Sequence, residues 1–157
     1  MSRTYRTIRL MGDGVQKEAP ANEAFYPGTL LEKLSTGKVQ KHSVAGGATA
    51  AGRLTPVIVA LENSLMGIGV GTGTLNGTFV TITKAYAANQ PVQLLYPRPG
   101  DEVVMLLKSG QTVVVGSPLT SNGDGTLKVA TSSNDVVIAR SGDALTASGD
   151  TLIVVEL

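Results

Sequence analysis

The stretch RPGDEVVMLLKSGQTVVVGSPL, residues 98–119, decides the fold class. Pro99, Gly100 and Asp101 make a turn, and an apolar run over 103–107 follows. Lys108, Ser109 and Gly110 make a second turn into the run 112–115, which Gly116 and Pro118 stop. Turn formers bracketing two short, valine-rich runs predict a β-hairpin.

The same grammar extends outward in both directions. FYPGTLLEKLSTGKVQKHSV, residues 25–44, reads as a turn, a strand over 29–34, a Ser-Thr-Gly turn and a strand over 38–44. VIVALEN, 57–63, begins with β-branched residues and favours strand. Asn76-Gly77 is a two-residue hairpin signal ahead of TFVTIT, 78–83. PVQLLY (91–96), the turn and strand in SNGDGTLKVA (121–130), DVVIAR (135–140) and TLIVVEL (151–157) complete the series. No window carries a 3.6-residue apolar period, so long helices are not expected. Strands at intervals of about 8–12 residues, punctuated by Gly, Pro, Asn and Asp, predict an all-β protein, a compact β-sandwich or barrel with an extended N-terminal arm.

The arm is expected over residues 1–24 and the β-rich domain over 25–157. Arg3, Arg6 and Arg9 lie three apart, interleaved with Tyr5, Ile8 and Leu10, and no acid occurs among the first nine residues. The following MGDGVQKEAPANEA has no sustained period. Apolar residues between the arginines favour a segment that orders on a partner over a frayed tail.

Composition narrows the function classes. Of 157 residues, 42% are hydrophobic, enough for a core, yet aromatics are 4% with no Trp, so that core is built from Val, Leu, Ile and Ala. A charged fraction of 16% is low for a soluble domain and is compatible with surface hidden against partners. A net charge of +1 gives no electrostatic footprint for nucleic acid. The absence of Cys excludes disulfides and thiolate chemistry. No apolar run approaches the about 18 residues of a membrane span, and MSRTYRTIRLMGDG lacks a signal-peptide core, so neither a membrane partner nor Sec export is expected.

Little in the chain reads as reactive. His42 stands without a second His, Cys or nucleophile motif. GIGVGTG, 67–73, fails the G-x-G-x-x-G spacing and precedes no helix signal. Asn122, Asp124 and Thr126 alternate as calcium loops do, but one carboxylate is too little charge, and a turn bonding its own backbone explains NGDGT. A hydrolase requires at least two of Asp101, Glu102, Asp143, Asp150 and His42 to meet in one pocket. The expectation is therefore no enzyme, with no catalytic residue, cofactor or metal. A carbohydrate- or cell-surface-binding β-module is the alternative, and its mark would be Tyr86 and Tyr96 on one exposed face.

Several stretches resemble the decoration, or cement, proteins of tailed bacteriophage capsids. They are FYPGTLLE (25–32), GKVQKH (37–42), PVIVALEN (56–63), KAYAAN (84–89), PGDEV (99–103), and the SGD and VVEL of the final 17 residues, 141–157. GIGVGTGTLNGT, 67–78, is longer and richer in glycine than that family's pattern. The resemblance implies a mostly β virion protein without an active site. It implies binding to the major capsid protein on the outer surface of the expanded capsid, bridging adjacent subunits. It further implies a homotrimer whose terminal arm reaches over a neighbouring subunit. In that setting Tyr5, Ile8 and Leu10 are expected as apolar anchors and Arg3, Arg6 and Arg9 as partners for capsid carboxylates. Phe25 and Tyr26, where arm meets body, are expected either as a capsid contact or as a core plug.

Overall fold

The computed structural model describes residues 7–47, 56–68 and 84–157. Arg3, Tyr5, Arg6, the Asn76-Gly77 signal, TFVTIT and most of the glycine-rich run lie outside the described residues. Thirteen strands are described: β1 (Arg9–Met11), β2 (Val15–Pro20), β3 (Leu30–Lys33), β4 (Val39–Lys41), β5 (Ile58–Ala60), β6 (Pro91–Tyr96), β7 (Glu102–Leu107), β8 (Thr112–Val113), β9 (Pro118–Ser121), β10 (Leu127–Val129), β11 (Ala139–Ser141), β12 (Leu145–Thr146) and β13 (Thr151–Glu156). Two 3-10 turns, Ala45–Gly47 and Ser64–Met66, complete the described elements, and none of them is an α-helix.

The longest pairing is antiparallel, β13 on β7, in register from Thr151 opposite Leu107 to Glu156 opposite Glu102. The other edge of β7 takes β1 near Val103 and a parallel contact from β10 at Leu107. From β10 the ladder runs to β9, then β11, then back to β13, closing a five-stranded barrel. Closure leaves no open edge on those strands, the usual remedy for exposed ladder groups.

The second sheet has the order β2-β6-β5-β3-β4. It curls until Ala21, just past β2, meets Val39 of β4 in a parallel bridge. β8 and β12 form a separate two-stranded ribbon.

The centre of the second sheet, β5 and β6, is buried on both faces, which explains the apolar runs IVA and LLY there. Leu30, Val59 and Leu95 point toward the barrel and pack with Val103, Met105, Leu119 and Ile153. Their neighbours Leu31, Ile58 and Leu94 point the opposite way, into a second core with Phe25, Val39 and Tyr86. Each such fully buried side chain is worth about 1.5–3 kcal/mol relative to exposure. The two sheets touch at Gly28, whose carbonyl accepts the Leu106 N–H at 3.0 Å. Gly28 has φ +86, and a Cβ there would stand 2.8 Å from the Leu152 side chain.

Three expectations are corrected here. The turn at 108–111 exists, with Gln111 N–H bonded to Lys108 O, but the runs flanking it do not form a hairpin. β7 pairs with β13, and β8 turns away to β12. The strand expected over 135–140 shrinks to Ala139–Ser141, because Asp135 accepts the N–H groups of Thr131 and Ser132 and makes a turn instead. The described part of the expected arm is built into the body: β1 lies on β7, and β2 pairs with β6 from Val15–Tyr96 to Pro20–Pro91. Ile8 is fully buried in the barrel-side core, and its N–H donates to Glu62 Oε2 at 2.9 Å.

Candidate interaction surface

The groups able to do acid–base chemistry are spread over turns and strands. Asp101 Oδ2 accepts N–H bonds from Arg98 (2.9 Å) and Gly14 (3.1 Å). Asp143 Oδ2 accepts the Val154 N–H, and Asp150 Oδ1 accepts the Ser109 N–H, both at 2.9 Å. Glu102 lies in β7 opposite Glu156. His42 is buried, with Nδ1 2.8 Å from Ser121 Oγ. Burial depresses its pKa, and the nearby Glu32 carboxylate offsets this only in part. Asp101, Asp143, Asp150 and His42 thus act at separate places, on backbone groups or on single neighbours. No group of three or more His, Asp or Glu arranged to hold a metal ion occurs among the described residues.

The NGDGT turn follows its sequence reading. Asp124 Oδ1 accepts the N–H and hydroxyl of Thr126, and Lys108 Nζ sits 2.8 Å from Asp124 Oδ2. Burial opposes ionisation of Asp124, but the bonds from Lys108, Thr126 and Asn122 outweigh it and hold the carboxyl well below the usual range.

Of the expected contact residues, the structure exposes some and sequesters others. Ile8 and Phe25 are core. Phe25 packs on Tyr86 with ring centroids 5.8 Å apart, in the core on the face of the second sheet away from the barrel. Arg9 is half-buried and donates to the Gly12 carbonyl, while Leu10 and Tyr26 are exposed. The aromatic pair expected of a sugar-binding face is not formed. Tyr86 is buried, donates to Leu61 O at 2.7 Å, and burial pushes its phenol up to about 12. Tyr96 is half-buried, with Lys17 Nζ 5.1 Å from its ring centroid.

Sequence reasoning missed the larger exposed apolar side chains. Met11 (63% exposed) and Val15 stand with Leu10 at the corner between β1 and β2, beside the Arg98–Asp13 ion pair. Val114 and Val115 (71%) crown the turn after β8, and Leu65 is 98% exposed. Their residue types match the core, so composition gives no warning; only the adjoining Gly12, Gly14 and Gly116 mark them as turn neighbours. One further feature is concave. Between the sheets lies a cleft of about 420 Å³ with Phe25, Tyr26, Lys41, Leu106, Asp124 and Asp150 in its walls.

No protein-family model matches the chain, and no curated protein matches it. Among solved structures, the chain is similar to the N base of the head fiber gp8.5 in bacteriophage phi29. The likeness covers 92% of this chain and 94% of that one, at 12% sequence identity and a TM-score of 0.54. At that identity the shared property is the fold: an all-β chain built on a closed barrel with additional sheets.

Proposed function

We propose that the protein is a structural component of a phage virion that binds the outer surface of the expanded capsid and stabilises it by bridging adjacent major capsid protein subunits. The observation that carries this reading is the fold, shared along nearly the whole chain with a protein described as a phage head fiber base. The capsid-decoration resemblance of residues 25–157 supports it independently. So does the use of Asp101, Asp143 and Asp150 as turn-bonding groups, which leaves the scaffold stiff.

The contact is made by the body and not by a free arm over residues 7–24. Leu10, Met11 and Val15 form its apolar centre, and Arg98 and Asp13 its polar rim. A ligand that binds only the assembled lattice stabilises it by RT ln(1 + [L]/Kd), about 4 kcal/mol per site at ~1,000 Kd. A homotrimer multiplies this, since one anchored protomer holds the others over their sites. No catalysis is part of this role.

The test mixes the protein with expanded and unexpanded heads of its own phage, followed by sedimentation and cryo microscopy. Binding confined to expanded heads is expected, and Leu10→Asp with Met11→Asp removes it. Absence of the protein from both kinds of head overturns the reading.

A further inference from the structure

The cleft between the two sheets offers an uncommon combination of groups. One wall comes from the loop after β2 and from β4: Phe25, Tyr26, Lys41. The other comes from β7, the 124–126 turn and the turn before β13: Leu106, Asp124, Asp150. Its volume falls within the about 300–1,000 Å³ of small-molecule sites. Tyr26 is 50% exposed in a chain whose other described aromatics, Phe25, Tyr86 and Tyr96, are buried or half-buried.

The polar groups around that ring retain bonding capacity. Asp150 Oδ1 holds the Ser109 N–H, while Oδ2 accepts no hydrogen bond among the described residues. Among the described residues Lys41 Nζ has only Glu23, at 3.9 Å. The Tyr26 hydroxyl has no partner among the described residues.

We propose that this cleft is a saccharide-binding site, with Tyr26 as its stacking platform and Lys41 and Asp150 as its donor and acceptor. A sugar ring presents an apolar C–H face and a rim of hydroxyls that both donate and accept. The cleft supplies the matching pair, an aromatic face beside mixed hydrogen-bonding groups. Other ligand classes fit less well. A cation meets Lys41, an anion meets Asp124 and Asp150, and a purely apolar ligand strips water from Lys41 and Asp150 without replacing it. The inference does not depend on the virion reading, and its test uses no capsid.

The experiment screens the full chain on a broad glycan array, then titrates the best-bound sugars with saturation-transfer NMR. Binding with transfer to sugar ring C–H protons is expected. Tyr26→Ala weakens it by about tenfold or more, equivalent to ~1.4 kcal/mol. Tyr26→Phe retains most of it, Asp150→Asn weakens it, and Val115→Ala leaves it unchanged. Circular dichroism verifies that each variant is folded. Silence across the array and in NMR overturns the proposal, as does binding that survives both Tyr26→Ala and Asp150→Asn.

Discussion

His42 Nδ1 lies 2.8 Å from the Ser121 hydroxyl, joining the end of β4 to the end of β9 across the seam between the two sheets. The backbone seals the same place: His42 N–H donates to Leu30 O at 2.9 Å, and Gly125 N–H donates to His42 O at 3.2 Å. A protonated imidazole is disfavoured there, chiefly by burial. The folded pKa lies below the ordinary imidazole value of 6.5, so the unfolded chain takes up the proton first. Stability from this group is full above the unfolded pKa and is lost as pH falls through that value toward the folded one. Thermal melts should show a midpoint that drops as pH goes from about 7.5 toward 5.5 (about one unit either side of a free imidazole). His42→Gln should flatten that slope. An identical slope in wild type and variant would refute the assignment.

Asp101 is the second tether. Its Oδ2 accepts two N–H groups, from Arg98 and from Gly14, and so pins the β1–β2 corner to the turn before β7. Asp101→Ala strands a buried donor at Gly14 and should cost about 1–3 kcal/mol. Asp101→Asn keeps one acceptor oxygen and should cost less. Denaturant titration with an unchanged slope separates this loss from a change of the native state.

Gly12 is coupled to that tether. It has φ +124, and a Cβ there would fall 2.0 Å from Asp101 Oδ1. Gly12→Ala therefore strains the backbone and displaces the carboxylate, costing about 2 kcal/mol or more. The two lesions overlap, so the double variant Gly12→Ala with Asp101→Ala should be less destabilised than the sum. A double-mutant cycle should return a coupling of about 0.5 kcal/mol or more, and strict additivity would show the contact to be unimportant.

What could be read from the sequence follows from where each segment buries its side chains. PVQLLY and TLIVVEL were legible because β6 and β13 are central strands with dense apolar runs. The 30–41 hairpin was legible because its turn is local, closed by Leu34 N–H to Lys38 O. The pairing of β7 was not, since its partner lies more than 40 residues away and no turn residue encodes that choice. β2 escaped notice for another reason. In VQKEAP only Ala19 is buried, so the strand is held by its ladder to β6 and carries almost no apolar signature. The Tyr26 cleft was equally opaque: exposure and burial of the adjacent Phe25 and Tyr26 are decided by which sheet covers them.

Truncation distinguishes a built-in N-terminal segment from an appended arm. Deleting residues 1–24 removes β1 from β7 and β2 from β6, and it empties the fully buried site of Ile8. Loss of Ile8 alone costs about 2–5 kcal/mol once the residual cavity is counted. The freed flank of β6 adds an open edge prone to aggregation. The total rivals the whole stability of a domain, about 5–15 kcal/mol, so this deletion should yield an unfolded or insoluble chain. A soluble 25–157 fragment with a wild-type melting point would restore the arm and remove β1 and β2 from the fold's essential framework.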